Sequence, residues 1–217
     1  MRCFDGIDNI FFDFDGTLCD TEADIRDSWR AAFAELKVEA PRFEKFYRIG
    51  PPTEIAARTI FPDADDAFIR RLCKVYRSKY YASGYPKSVA YPGADAMLAK
   101  LKAEGKKLFI ATNKNAAPLK ELVDKLGWSG VFVELLNRDL MPLAEYRKSE
   151  LLRRALEKYG LDPRKSAMVG DAATDIAAGK EAGVVTVAAT YGYGDPNELT
   201  ASGADRTLSP EEVREYL

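Results

Sequence analysis

Four aspartates are spaced as a catalytic or metal-binding site would need them. Asp13 and Asp15 stand two apart at the end of the apolar run that starts at Asn9, with Gly16 directly after them. Asp171 and Asp175 stand four apart behind a second apolar run, Ser166 to Val169, which closes on Gly170. Ionised carboxylates beside a buried strand are costly unless a cation or hydrogen bonds offset them. In an extended chain, residues two apart face the same side. Gly16 then lets the backbone turn sharply or approach a ligand closely. The alternative is an ordinary Asp-Gly turn with solvated carboxylates. A calcium-binding EF-hand needs Gly at its sixth position and Glu at its twelfth. Counting from Asp13 those positions hold Leu18 and Asp24, so that reading is excluded.

On a helix, Asp171 and Asp175 would share a face and repel unless something positive lies between them. A hard cation such as Mg²⁺ takes oxygen ligands and often uses one or two carboxylates. Helix capping is the alternative, with Asp171 or Thr174 at the terminus and Asp175 in the first turn. Thr112 and Asn113 follow a third apolar run and offer neutral hydrogen-bonding groups, or else a helix cap that involves Asn115. Lys148 opens a helix after Tyr146 and Arg147. A cation there opposes the helix dipole, which hints at a partner elsewhere. A solvated surface lysine is the plainer reading.

The composition narrows the chemistry. The 217 residues include no histidine, which removes Ser-His-Asp and Cys-His catalysis and the commonest zinc ligand. Acid–base work must use carboxylates, Lys, Tyr, Cys or backbone groups. The formal net charge of −2 carries no footprint of nucleic-acid binding. No apolar stretch is long enough for a membrane span. Cys3, Cys19 and Cys73 are scattered, and Asp5, Asp8 and Asp13 interrupt any signal-peptide core. These features predict a cytoplasmic protein. Nothing in the sequence specifies an oligomeric state.

The elements that must position these residues follow from periodicity. Residues 9–14 predict a buried strand and 22–37 an amphipathic helix, with Ile25, Trp29, Ala32, Phe33 and Leu36 on one face. An aromatic segment at 43–47 and helices over 53–59, with Thr53 as N-cap, and 64–82 follow. After residue 88 the rhythm changes to helix 94–104, strand 107–112, helix 116–126, strand 131–134, helix 148–159, strand 166–169, helix 173–181 and strand 184–189. A weak strand at 205–208 and a helix from 210 close the chain. Short apolar strands alternating with helices predict parallel βαβ units. The expected fold is α/β: a Rossmann-like three-layer core with a parallel sheet, plus an inserted α-helical cap. The core would be 1–19 and 88–217, and the cap 20–87. Ligands of such sheets bind at the carboxyl ends of the strands, where Asp13, Asp15, Thr112, Asn113 and Asp171 fall, with Asp175 four residues on.

Asp13-Phe-Asp15-Gly16-Thr17-Leu18, Thr112, Lys148 and Gly170-Asp171-x-x-x-Asp175 together resemble the four motifs of the haloacid dehalogenase superfamily. Within it the chain looks like the phosphoglycolate phosphatase-like group. Ile49-Gly50-Pro51-Pro52 and Thr190-Tyr191-Gly192-Tyr193-Gly194 extend the likeness over the whole chain. The resemblance implies a Mg²⁺-dependent phosphatase acting on a small phosphate ester through an aspartyl-phosphate. Asp13 would be the nucleophile and Asp15 the proton donor and acceptor. Gly16, Thr112, Asn113 and Lys148 would bind the phosphoryl group. Asp13, the Asp15 backbone carbonyl and Asp171 would hold the metal, and Asp175 would reach it through water or orient Lys148. Relatives often have Lys-Pro in the third motif, whereas here Arg147-Lys148-Ser149 stands, so Arg147 and Lys114 compete for the lysine's role. In the cap, Arg48 and the Gly50 loop are candidates for substrate contact. A phosphotransferase or phosphoglucomutase-like enzyme is the alternative, but mutases tend to carry Gly-x-x-Arg in the cap loop where this chain has Gly50-Pro51-Pro52-Thr53. A receiver-like or non-catalytic phosphate-binding protein is a further alternative. Its acidic residues would be adjacent instead of alternating.

Overall fold

The computed structural model describes residues 3–142 and 146–216. In chain order the elements are β1 (Asn9–Phe12), β2 (Cys19–Asp20), α1 (Glu22–Leu36), α2 (Phe43–Phe46), α3 (Thr53–Ile60), α4 (Asp66–Ala82) and β3 (Val89–Ala90). There follow α5 (Ala94–Ala103), β4 (Lys107–Ala111), α6 (Ala116–Lys125), β5 (Glu134–Leu136), α7 (Lys148–Tyr159), β6 (Ser166–Gly170) and α8 (Ala173–Ala182). The chain closes with β7 (Val185–Ala189), α9 (Pro196–Ala201), β8 (Arg206–Leu208) and α10 (Pro210–Arg214). Two short 3-10 turns lie at Arg138–Leu140 and Pro163–Lys165.

The chain divides into two compact units, Met1–Asp20 with Ala90–Leu217, and Thr21–Val89. The first contains a six-stranded parallel sheet in the order β5-β4-β1-β6-β7-β8. The fold class is therefore α/β, as the alternating pattern requires. β1 lies between β4 and β6 and is buried along its whole length, so its residues read as an unbroken apolar run. Phe11 stacks on Phe109 at 4.7 Å and joins Leu151, Leu152 and Ala155 of α7. Phe12 takes the opposite face, edge-on to Phe4 at 6.2 Å. Burying each such side chain contributes about 1.5–3 kcal/mol.

The second unit is built from α1 to α4. Trp29 of α1 stacks on Tyr76 of α4 at 4.1 Å, and Phe33 meets Phe43 edge-on at 5.1 Å. Asp24, buried in the first turn of α1, accepts from the Ser88 hydroxyl at 2.7 Å and the Lys87 backbone N–H at 3.0 Å. This ties the start of the unit to its end. Among the described residues, no helix is long and apolar enough to cross a membrane.

Several elements differ from expectation. β5 begins at Glu134, because Val131 N–H donates to the Trp128 carbonyl at 3.0 Å and draws the apolar residues before it into a turn. β1 stops at Phe12, because the Phe14 carbonyl turns to accept from Thr17, Leu18 and Cys19 N–H. Thr53 is the first residue of α3, and its cap position belongs to Pro52. α9 was not anticipated: six residues show little periodicity, although Asp195 before Pro196 is a helix-start signal and caps Asn197 and Glu198 N–H.

Candidate active site

The carboxyl ends of β4, β1 and β6 lie side by side, and each carries polar residues. Asp13 leaves β1 with its N–H donating to the Val169 carbonyl at 2.8 Å. Asp171 follows β6, and Asp175 lies in the first turn of α8. All three carboxylates are buried, with oxygens within 4.8 Å of one another. Lys148, the first residue of α7, places its ammonium 2.5 Å from Asp175 Oδ1 and 3.2 Å from Asp13 Oδ1. The second contact is an ion pair without hydrogen-bond alignment, so Asp13 Oδ1 is buried with no hydrogen-bond partner. That is the partner hinted at by a lysine at a helix start.

Three carboxylates against one ammonium leave the cluster short of positive charge. Burial pushes Asp13 up to about 7; Lys148 opposes this, and Asp175, Asp171 and Asp15 reinforce it. Burial likewise pushes Asp171 up to about 6, aided by Asp175 and opposed by the hydrogen bonds it accepts. Burial alone would pull the Lys148 ammonium down, but Asp13 and Asp175 more than reverse this and hold it above its ordinary value.

Asp171 is fixed by several donors. Thr17 Oγ1 donates to its Oδ1 at 3.0 Å, and Tyr193 and Gly194 N–H donate to its Oδ2 at 2.7 and 3.2 Å. Charge-assisted bonds of this kind hold a carboxylate firmly. Tyr191 and Tyr193 anchor the donor loop, through Tyr191 OH to the Thr17 carbonyl at 2.9 Å and Tyr193 OH to Asp20 at 2.7 Å. Asp175 Oδ2 accepts from Ala172 N–H at 3.1 Å, so this residue caps α8 and holds Lys148 at once.

Asp15 does not share the Asp13 cation. Its Oδ1 pairs with Lys114 Nζ at 2.8 Å. Thr112 is buried at the end of β4, and Asn113 Oδ1 accepts from Tyr146 OH at 2.7 Å. Of the three cations that competed for one role, Lys148 is at the acidic cluster and Lys114 is at Asp15. Arg147 is exposed and turns back to the Tyr146 carbonyl. In the helical unit, exposed Arg48 donates to the carbonyls of Lys45 and Tyr47 at 3.1 and 3.0 Å, and Gly50 adopts φ +117°.

Several contributors were not singled out from sequence: Thr17, Tyr146 and the backbone N–H groups of Tyr193 and Gly194. Thr17 adjoins Gly16 within the first motif, so its place was visible but its partner was not. Backbone donors have no sequence signature. The cluster fits a hard divalent cation. Its donors are all oxygen, they are buried and short of positive charge, and Asp13 Oδ1 lacks a hydrogen bond.

Comparison with known proteins agrees with this geometry. A profile of haloacid dehalogenase-like hydrolases matches residues 7–183. A phosphoglycolate phosphatase of Neisseria meningitidis is 35% identical over 91% of this chain and 86% of its own length. A 5'-nucleotidase of Pseudomonas aeruginosa is 29% identical over 89% of this chain and 87% of its own length. Among solved structures, a haloacid dehalogenase-like family hydrolase from Streptococcus pneumoniae superposes with a TM-score of 0.82 at 26% identity, covering 98% of this chain and 99% of that one. The chain belongs to the haloacid dehalogenase-like hydrolase family and is an enzyme of its phosphoglycolate phosphatase-like group.

Proposed function

We propose that this hydrolase cleaves a small phosphomonoester in two steps through an aspartyl-phosphate, with Mg²⁺ as cofactor. The observation that carries this reading is the buried Asp13 carboxylate, 3.2 Å from the Lys148 ammonium and grouped with Asp171 and Asp175. A carboxylate nucleophile divides one difficult displacement into two easier ones. One oxygen of Asp13 attacks phosphorus, and the bond from phosphorus to the ester oxygen breaks. Asp15, protonated, gives its proton to that leaving oxygen. Water then attacks the aspartyl-phosphate, Asp15 takes up the water's proton, and phosphate leaves Asp13.

The phosphoryl group is anionic, so the other residues must offset its repulsion from Asp13. Lys148 supplies a fixed positive charge, and Thr112, Asn113 and the Gly16 backbone supply hydrogen bonds to the phosphoryl oxygens. Asp13, the Asp15 carbonyl and Asp171 would hold Mg²⁺, with Asp175 acting through Lys148 or water. When bound, the metal supplies positive charge to the phosphoryl oxygens and to the acidic cluster. The free cysteines Cys3, Cys19 and Cys73 fit a reducing, cytoplasmic setting.

Arg48 and the Gly50 loop are the assigned substrate contacts of the helical unit. Relatives named for phosphoglycolate and for nucleotides both cover this chain, so the substrate is assigned as a small soluble monoester. The deciding experiment is release of inorganic phosphate from a panel of phosphometabolites with Mg²⁺, with EDTA, and with Asp13→Asn. Turnover requiring both Mg²⁺ and Asp13 is expected. Equal turnover by Asp13→Asn would sink the nucleophile assignment, and turnover in EDTA would sink the metal.

A further inference from the structure

We propose that Lys114 is the positioning residue for Asp15, and so governs turnover of esters whose leaving oxygen needs a proton. This rests on the reading of Asp15 as the proton donor. Among the described residues, Lys114 and Lys148 are the two buried lysines. Lys148 faces Asp13 and Asp175, whereas Lys114 Nζ lies 2.8 Å from Asp15 Oδ1, with side chains 4% and 14% exposed. The two aspartates of the first motif therefore have separate ammonium partners. Lys114 therefore stands at Asp15 and not at the Asp13 cluster, which suits it to a different task.

A buried ion pair is a poor stabilising device, because desolvation consumes much of the attraction. It is a good orienting device if both ends are rooted, and here they are. Lys114 N–H donates to Thr112 Oγ1 at 3.3 Å, and its carbonyl accepts from Arg138 N–H at 3.1 Å. The next two residues are bound to a single carboxylate: Asn115 Nδ2 and Ala116 N–H donate to Asp139 at 2.6 and 2.7 Å. On the other side, Gly16 N–H donates to the Cys19 carbonyl at 3.0 Å, closing the loop that carries Asp15. The ammonium thus bridges two fixed loops at the ends of neighbouring strands β1 and β4. The rotation of the carboxyl is thereby set, and orientation is what proton transfer needs.

The test compares an alkyl phosphate with p-nitrophenyl phosphate, whose phenolate leaves without protonation. kcat/KM reports transfer to Asp13 and not the later hydrolysis. Lys114→Met is expected to lower kcat/KM about 100-fold for the alkyl ester and less than about 3-fold for the aryl ester. Lys114→Arg should restore much of the alkyl activity. Adding Asp15→Asn to Lys114→Met should cost the alkyl ester little more. Thermal melting accompanies each variant, and Lys114→Arg retains the charge if Lys114→Met folds poorly. An equal loss on both esters, no loss on either, or additive loss in the double variant would overturn the proposal while leaving the phosphatase reading intact. Absence of wild-type turnover on both esters would overturn both.

Discussion

Gly16 and Asp171 meet across the sheet edge: a Cβ on Gly16 would overlap the Asp171 carboxylate, and Gly16 adopts φ +85°. The residue after the first pair of aspartates is thus fitted directly against Asp171, the first of the second pair.

Gly16→Ala should therefore do more harm than its backbone angle alone predicts. Gly105 gives the control, with φ +79° and open space where a Cβ would go. Gly105→Ala should cost about 1 kcal/mol of stability and leave kcat/KM within about 3-fold. Gly16→Ala should displace Asp171 and lose at least about 100-fold in kcat/KM. Urea melts and steady-state kinetics on the two variants check this. Matching kinetic effects would show that the Asp171 contact does not matter.

Lys148→Met removes the cation between Asp13 and Asp175. Leaving buried carboxylates uncompensated should cost about 3–5 kcal/mol near neutral pH and abolish measurable turnover. The penalty should shrink toward about pH 5, because Asp13 and Asp171, already shifted up to about 7 and about 6, take up protons there. Urea denaturation at both pH values measures it, and a penalty independent of pH would contradict the ionic account.

Metal-free protein should lose stability as pH rises. The folded-state value of Asp13, about 7, lies above the ordinary 3.8, so its contribution is fully present below about pH 4 and lost as pH rises through about 7. Asp171 acts in the same direction through about 6. Mg²⁺ favours the ionised carboxylates, so its increase in Tm should be larger near pH 8 than near pH 5. Melting in EDTA and in saturating Mg²⁺ at each pH decides; the opposite trend would remove the Asp13 and Asp171 ligand assignment.

Thr17→Val deletes the 3.0 Å hydrogen bond to Asp171 Oδ1 while keeping side-chain volume. Outer partners of this sort typically tune metal affinity about 10-fold or more. The Mg²⁺ concentration for half-maximal activity should rise about 10-fold, with kcat at saturating Mg²⁺ changed less than about 3-fold. A Mg²⁺ titration of activity reads both quantities.

Arg48→Ala tests the helical unit's part in specificity. If Arg48 meets an anionic group on the substrate, KM for such an ester should rise about 10-fold, in line with loss of one charge-assisted contact, while p-nitrophenyl phosphate is unaffected. A kcat loss shared by both esters would count against a specificity role.

Much of this protein was legible before any coordinates. The alternation of short apolar strands with helices predicts the parallel sheet, because strands buried on both faces carry unbroken apolar runs such as Ile10-Phe11-Phe12. The positions of Asp13, Asp15, Thr112, Asp171 and Asp175 at run ends already put them at one sheet edge. Weak signals failed where packing overrode pattern: Val131 looks like the start of a strand but is held in a turn by the Trp128 carbonyl, and α9 is too short for periodicity to register.

What the sequence by itself determined is the set of groups available: alternating aspartates, no histidine, and lysines rather than imidazole to balance charge. It also determined the α/β order that brings strand ends together. Only the tertiary structure decided which cation serves which carboxylate. Lys148, Lys114 and Arg147 are all cations in the sequence, but their separations from Asp13 and Asp15 in space depend on how α7 and the β4 loop pack. Electrostatic partnership falls with distance and rises with burial, and neither quantity is a property of spacing along the chain.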